Sequence, residues 1–209
     1  LKILVFGATG PTGRQVVTQA LSRGHSVTAF VRNPQALSID DKRLRVVTGD
    51  TTRDEPNVAE AVRGQDVVVS ALGRRTTFKS DHLIERSMRT IVPSMERAGV
   101  RRLVLVSACG VGESHRDAPL IPRIMYRLLL GDIFADKKAA EDYVRSSNLD
   151  WTFVYPVMLT DGPLTGKYRA GERLEMHGMP KVSRADVAHF SLTEAEKGDF
   201  IRKVAVISN

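Results

Sequence analysis

Leu1-Lys2-Ile3-Leu4-Val5-Phe6-Gly7-Ala8-Thr9-Gly10-Pro11-Thr12-Gly13-Arg14 is the stretch on which the fold turns. A short apolar run ends on glycine. Glycines then recur in a G-x-x-G-x-x-G pattern, and a helical pattern begins at once. Gly7 allows a sharp turn out of a strand. Gly10 lets the backbone come close to a pyrophosphate, and Gly13 lets the helix pack on the strand. Thr9, Pro11 and Thr12 complete the loop. The amides at the helix start offer donors and a positive dipole end to phosphates. Strand, glycine loop and helix in this order predict a dinucleotide site.

The same alternation continues down the chain. Arg14 to Arg23 sets Val16, Val17, Ala20 and Leu21 on one helical face, and Gly24 stops it. Val27 to Val31 and Leu44 to Val47 read as strands, with a helix at Asn57 to Arg63. Asp66 to Ala71 is a buried strand. Asp81 to Ala98 is a helix that Pro93 is expected to kink. Leu103 to Val106 is a further buried strand. All-apolar strands suit a sheet buried on both faces, and alternation with helices implies parallel βαβ units. The prediction is an α/β fold: a doubly wound parallel sheet with helices on both faces and its ligand at the carboxyl ends of the strands. In the second half, glycines and prolines mark Ala108 to Pro122 as a loop. Ile121 to Ser147 reads as helix with a break near Gly131. Trp151 to Tyr155 is a strand, and Leu159 to Gly178 is irregular or short-stranded. Ser183 N-caps a helix to Lys197, with Asp186 at its third position. Val204 to Ile207 closes as a strand. With no repeat and no linker, residues 1–209 read as a single domain, with 108–132 and 159–180 shaping a substrate pocket.

Strand ends supply the candidate cofactor contacts. No Asp or Glu lies between Ser26 and Ser38, where an acid would hold a bare ribose. Arg32 stands there instead, and a guanidinium matches a 2′-phosphate, so NADP(H) is expected over NAD. Arg14 either adds charge to the same phosphates or is a helix surface residue. Asp50, beside Thr51 after the third strand, either accepts from the adenine amino group or caps its own turn. Ala71, Leu72 and Gly73 let the backbone approach the cofactor. Arg74 and Arg75 begin a loop over the pocket mouth, or are a solvated pair.

Composition narrows the partners. Of 209 residues, 42% are hydrophobic and 26% charged, an ordinary globular balance. No apolar run approaches the roughly 20 residues of a membrane helix. The chain opens directly into its first strand, so neither a signal peptide nor membrane association is expected. One cysteine, Cys109, excludes an internal disulfide framework, and a reducing cytoplasm fits it. Five scattered histidines show no metal spacing, so no metal is expected. The net charge of +7 favours anionic partners. The basic residues come in pairs on what reads as a solvated surface, and no aromatic–basic motif points to nucleic acid.

The motifs G-A-T-G-x-x-G, V-R-N-P at 31–34, G-D at 49–50 and S-A-L-G at 70–73 resemble those of atypical short-chain dehydrogenases/reductases. Asp161 to Tyr168 and Val182 to Ala188 resemble segments of the biliverdin IXβ reductase/NADPH flavin reductase branch and of NAD(P)-binding, NmrA-like proteins. The resemblance implies a Rossmann-like fold over nearly the whole chain. It places Ser107 at the active-site serine position and runs Pro156, Val157 and Met158 past the nicotinamide. It also gives Lys137, in Lys137-Lys138-Ala139-Ala140-Glu141, the place of the lysine of Tyr-x-x-x-Lys, with the competing reading of an exposed helix face. Ile133 stands where the tyrosine belongs, and no tyrosine in the chain has a lysine four residues on.

That departure bears on mechanism. Carbonyl reduction needs a positioned acid, which isoleucine is not. Flavins and bilins take hydride into a conjugated system and can draw a proton from solvent or a nearby hydroxyl. The expectation is therefore an NADPH-dependent reductase of a small planar acceptor such as a flavin, bilin or quinone, with Ser107 and Lys137 at the reacting end. Biliverdin IXβ reductase, by the resemblance, works without that acid. The alternative is a non-catalytic, NADP(H)-sensing NmrA-like regulator. A monomer or weak homodimer is expected.

Overall fold

A computed structural model describes residues 1–73, 80–111, 120–176 and 178–209, and the backbone alone for 120–130. β1 (Lys2–Phe6) feeds α1 (Pro11–Ser22), followed by β2 (Ser26–Val31), a 3-10 turn (Pro34–Ala36) and β3 (Leu44–Thr48). Then come α2 (Glu55–Val62), β4 (Val67–Ser70), α3 (Leu83–Ala98) and β5 (Arg102–Val106). α4 (Leu120–Arg145) leads to β6 (Asp150–Pro156), and short strands follow at β7 (Met158–Thr160), β8 (Arg169–Gly171) and β9 (Lys181–Ser183). α5 (Arg184–Lys197) and β10 (Lys203–Ser208) end the chain.

Eight strands form one sheet in the order β3-β2-β1-β4-β5-β6-β10-β8, parallel except for β8, which runs antiparallel to β10. β7 and β9 pair separately, Met158 opposite Lys181. The apolar strands are apolar throughout because both faces are covered. Ile3 and Val5 join the layer under α1 and α5, whereas Leu4 and Phe6 join the layer under α2, α3 and α4. Consecutive strands run outward from β1 to β3, and the chain then crosses to β4 on the other side of β1. This reversal opens a crevice at the carboxyl ends of β1 and β4.

The glycine loop closes that crevice at van der Waals limits. Gly7 has φ +77°, and a Cβ on it would stand 2.6 Å from the Ala71 carbonyl oxygen. A Cβ on Gly13 would lie 2.1 Å from the Gly7 carbonyl oxygen. Strand, loop and helix therefore fit only without side chains at these two places.

Helix ends account for most of the remaining order. Ser183 Oγ accepts from the Asp186 amide (2.9 Å), as its capping position predicts. The Asp186 carboxylate, fully buried, also accepts from the amides of Thr165 and Gly166 (both 2.9 Å), from Thr165 Oγ1 (2.9 Å) and from Ser183 Oγ (2.8 Å). Burial raises this carboxyl, but the donors from Gly166, Ser183 and Thr165 outweigh it and hold it below the usual range. On the other face of the sheet, α3 has no side-chain cap of its own. Asp136, from α4, accepts from the amides of Ile84 (3.0 Å) and Glu85 (2.8 Å), and Asp132 accepts from that of Ser80 (2.5 Å).

Two expectations are corrected here. Leu120 to Pro122 belong to α4, not to a loop, because a proline within the first turn lacks an amide that the helix would leave unpaired anyway. α4 also runs unbroken through Gly131: one glycine costs a helix only about 1 kcal/mol, and the contacts of Asp132 and Asp136 hold both turns onto α3. α3 carries Pro93 within its span. Gly112 and Pro119 lie outside the described residues. No helix among the described residues is long and apolar enough to cross a membrane.

Two measurements follow from this packing. Gly13→Ala should cost about 3 kcal/mol or more, since backbone must move on both sides; a urea midpoint within error of the parent would refute the close approach. Asp186→Ala should cost about 2–4 kcal/mol at neutral pH by leaving buried donors unpaired. Because the folded carboxyl titrates low, that contribution is present above the ordinary carboxylate range. It disappears as pH falls through the folded value, so parent and variant should converge in stability in acid.

Candidate dinucleotide and active site

A cavity of about 320 Å³ lies at the reversal point of the sheet. Gly7, Thr9 and Gly10 form its floor. Arg32 flanks it from the tip of β2, and Asp50 and Thr51 from the end of β3. Ala71, Leu72 and Gly73 line it from the end of β4. Phe30, Val31, Gly49 and Leu83 complete the wall. The sequence reading did not single out Phe30 or Leu83. They give the cavity apolar surfaces suited to the faces of a planar base. An aromatic residue two places before Arg32 was the available signal for the first; Leu83 enters only because α3 folds over the crevice.

α1 begins beside this floor with Pro11 in its first turn and Gly10 as a cap without a side chain. Its first intrahelical bond runs from the Arg14 amide to the Gly10 carbonyl (2.8 Å). The amides of Thr12 and Gly13 precede that bond, so they are the helix's free donors. A side-chain-free cradle under two helix-start amides fits a pyrophosphate.

The acidic and basic candidates divide clearly. Asp50 Oδ1 accepts from the Thr52 amide (2.9 Å) and hydroxyl (2.7 Å), and those bonds hold its carboxyl below the usual range. It therefore caps its own turn while also bordering the cavity. Ser87 Oγ donates to the Leu83 carbonyl (2.7 Å), so Thr51 Oγ1 must donate to Ser87 (2.7 Å). The Thr51 hydroxyl is thus committed to α3. Arg32 is exposed at the cavity edge. Arg14 reaches from α1 to the Ala36 carbonyl (2.5 Å), which pins the loop following Arg32. Arg74 and Arg75 lie outside the described residues.

Ser107, Lys137, Pro156, Val157 and Met158 do not line this cavity. They stand further along the same edge, at the carboxyl ends of β5 and β6 and on the facing α4. β6 extends through Pro156, Val157 is buried, and Met158 is 38% exposed at the start of β7. Ser107 is nearly buried, with its amide bonded to the Val154 carbonyl (2.8 Å). Lys137 is partly buried, not laid on an open helix face. Burial pushes its ammonium down to about 8, against the opposing pull of Glu141 and Asp136.

Between these residues lies a group that the sequence reading passed over. Glu141, on α4 and only 2% exposed, accepts from Ser107 Oγ at Oε1 (2.5 Å) and from the Tyr155 hydroxyl at Oε2 (2.5 Å). Burial raises the Glu141 carboxyl, while those hydroxyls, Arg145 and Lys137 oppose the shift. Burial, with Glu141 beside it, also drives the Tyr155 phenol upward. Lys137, Glu141 and Arg145 are spaced by fours, so one face of α4 presents all of them to β5 and β6. That spacing was the sequence signal. The chemical consequence is that Tyr155, buried and already donating, does not replace the tyrosine missing at Ile133.

A family model for NAD(P)H-binding proteins matches residues 7–197. An uncharacterized chloroplastic protein of Arabidopsis thaliana is 34% identical over 176 residues, 79% of this chain; the chain spans only 61% of that relative's length. Among solved structures, a candidate exported protein of Burkholderia pseudomallei is 31% identical with a TM-score of 0.82, each chain covered fully. ChuY of Escherichia coli O157:H7, described as an anaerobilin reductase, is 27% identical with a TM-score of 0.81, covering 99% of this chain and 96% of its own. The G-x-x-G-x-x-G crevice and the match across nearly the whole chain agree: the protein belongs to the NAD(P)H-binding family, with the Rossmann fold of atypical short-chain dehydrogenases/reductases.

Proposed function

We propose that this protein is an NADPH-dependent reductase that passes hydride to a planar, conjugated acceptor of the flavin, bilin or quinone kind. The observation that carries this reading is the reacting end of the crevice. Ser107 and Lys137 stand further along the same edge, Ile133 stands where the resemblance puts the acid, and Tyr155 is committed to Glu141. An acceptor that spreads the incoming charge over its own ring system needs no side-chain acid aligned with one oxygen. The likeness to a structure described as an anaerobilin reductase supports the same class of acceptor.

When bound, the reduced nicotinamide supplies the hydride. The chain's own contribution is to bind and orient. The glycine loop and α1 amides would hold the pyrophosphate, Phe30 and Leu83 would offer apolar surface to the adenine, and Arg32 would engage the 2′-phosphate. The proton that balances the transfer comes from solvent or from the Lys137 ammonium. A lone cysteine suits a reducing compartment, and we place the protein in the cytoplasm.

NADPH oxidation offered FMN, riboflavin, a bilin and a quinone in parallel, with NADH as control, tests this directly. Turnover with NADPH and little with NADH is expected. Tight NADPH binding without turnover on any acceptor overturns the reductase in favour of a cofactor sensor. Arg32→Ala should weaken NADPH binding by about 10- to 100-fold while leaving NADH nearly unchanged, the loss of one charge-assisted contact.

The Lys137 ammonium sets a pH dependence of definite sign. Titrating near 8, it is charged below that value and neutral above it. If the cation takes part, kcat/KM should be level below about pH 8 and fall about tenfold per unit above it. Lys137→Met should flatten that limb. A limb that persists in the variant assigns it to another group.

A further inference from the structure

Glu141 has no part in the reductase just described, although it is buried beside the serine of the site. We propose that Glu141 locks Ser107 as a hydrogen-bond acceptor toward the ligand, and that the substrate is therefore a planar acceptor presenting an N–H at its docking edge. The imide of a flavin and the lactam or pyrrole of a bilin belong to that class; quinones and simple ketones do not. The proposal rests on the reductase reading for the place of the acceptor.

The argument is one of hydrogen counting. A serine has one hydrogen to give and lone pairs to accept with; Glu141, whose charged form Ser107, Tyr155, Arg145 and Lys137 favour against burial, is taken as the carboxylate and can then only accept. Ser107 gives its hydrogen to Glu141 Oε1, and Tyr155 gives its own to Oε2. Turning Ser107 outward would strand one oxygen of a carboxylate that is 2% exposed, at the full desolvation cost of a charged group. What Ser107 keeps for a ligand is lone pairs. A carbonyl or quinone oxygen wants a donor and finds none at Ser107, whereas an N–H finds its acceptor.

The position is also right. The last ladder pair of β4 and β5 is Ser70 with Leu105; Leu72, which lines the cavity, and Ser107 each follow that pair by two residues on the same edge of the sheet. Leu103 and Leu105 face the α3–α4 layer, so alternation sends the Ser107 side chain to the face where Glu141 meets it. Glu141 does not touch the ligand in this scheme; it is a positioning residue acting through Ser107. Its register on α4 is held by Asp136, one residue before Lys137, through the two amides of α3.

Lumiflavin and 3-methyllumiflavin differ at the N3–H alone and serve as probes. Their binding to the NADP⁺-loaded protein is read at neutral pH from flavin fluorescence, and turnover with NADPH is followed separately. The wild type should bind lumiflavin about tenfold more tightly, the worth of one hydrogen bond. Glu141→Gln keeps the shape but brings an amide donor that can release the Ser107 hydrogen, so the ratio should fall to about threefold or less. Ser107→Ala should also erase the ratio. Equal binding of both flavins by the wild type overturns the proposal even if no variant folds. So does a Glu141→Gln protein that keeps the full ratio, or a wild type that binds neither flavin nor a bilin. The two readings fail separately. A binding ratio without turnover on any acceptor sinks the reductase and leaves the lock; turnover of both flavins alike with no ratio sinks the lock and leaves the reductase.

Discussion

The contact of backbone with backbone at the end of β1 is the constraint on which the rest depends. The Gly7 carbonyl lies against Gly13, and Gly7 itself lies against the Ala71 carbonyl, at separations that no Cβ fits. This brings three things to one place: the start of α1, the end of β1 and the end of β4. Without it the helix amides would not face the crevice, and the reversal of strand order would open onto side chains instead of backbone. Both glycines are therefore packing residues first. The phosphate cradle is a consequence of the packing they allow.

A second device orders the β5–β6 side of the same edge. α4 is fastened to the start of α3 by Asp132 and Asp136, which supply the acceptors that α3 lacks within its own sequence. The same bonds fix the rotation of α4. Lys137 follows Asp136 directly, Glu141 lies one turn on, and Arg145 one turn beyond that, with its guanidinium 4.8 Å from the Trp151 and Phe153 rings. One face of one helix thus delivers cation, carboxylate and cation along β5 and β6. A capping interaction and a site geometry are the same structural fact seen from two helices.

The two halves of the site differ in how far the chain order reveals them. Gly7, Thr9, Gly10, Arg32, Asp50, Ala71, Leu72 and Gly73 are strand-end residues, and strand ends of a parallel sheet point to one edge whatever the loops do. Their meeting was legible once the alternation of strands and helices was read. Asp50 and Thr51 show the limit of that reading. Both border the cavity, yet their polar atoms are largely consumed by Thr52 and Ser87, which no spacing rule announces. The helix at Leu120 to Pro122 and its continuity through Gly131 were misread for a related reason. Proline and glycine are judged locally in a sequence, whereas here long-range contacts of α4 with α3 outweigh a small local cost.

From the sequence alone came the class of fold, the glycine cradle, the absence of an acid at Ile133 and the basic residue at the tip of β2. Each is a matter of which residue stands at which place in a periodic pattern, and periodicity is a local property of the chain. Only the tertiary structure decided what each polar atom does. Ser107 donates to a carboxylate thirty-four residues away, and Tyr155 donates to the same group from the neighbouring strand. Hydrogen bonds of that reach depend on how a helix is rotated on a sheet. That rotation is fixed by the sum of many contacts, so no short stretch of sequence contains it.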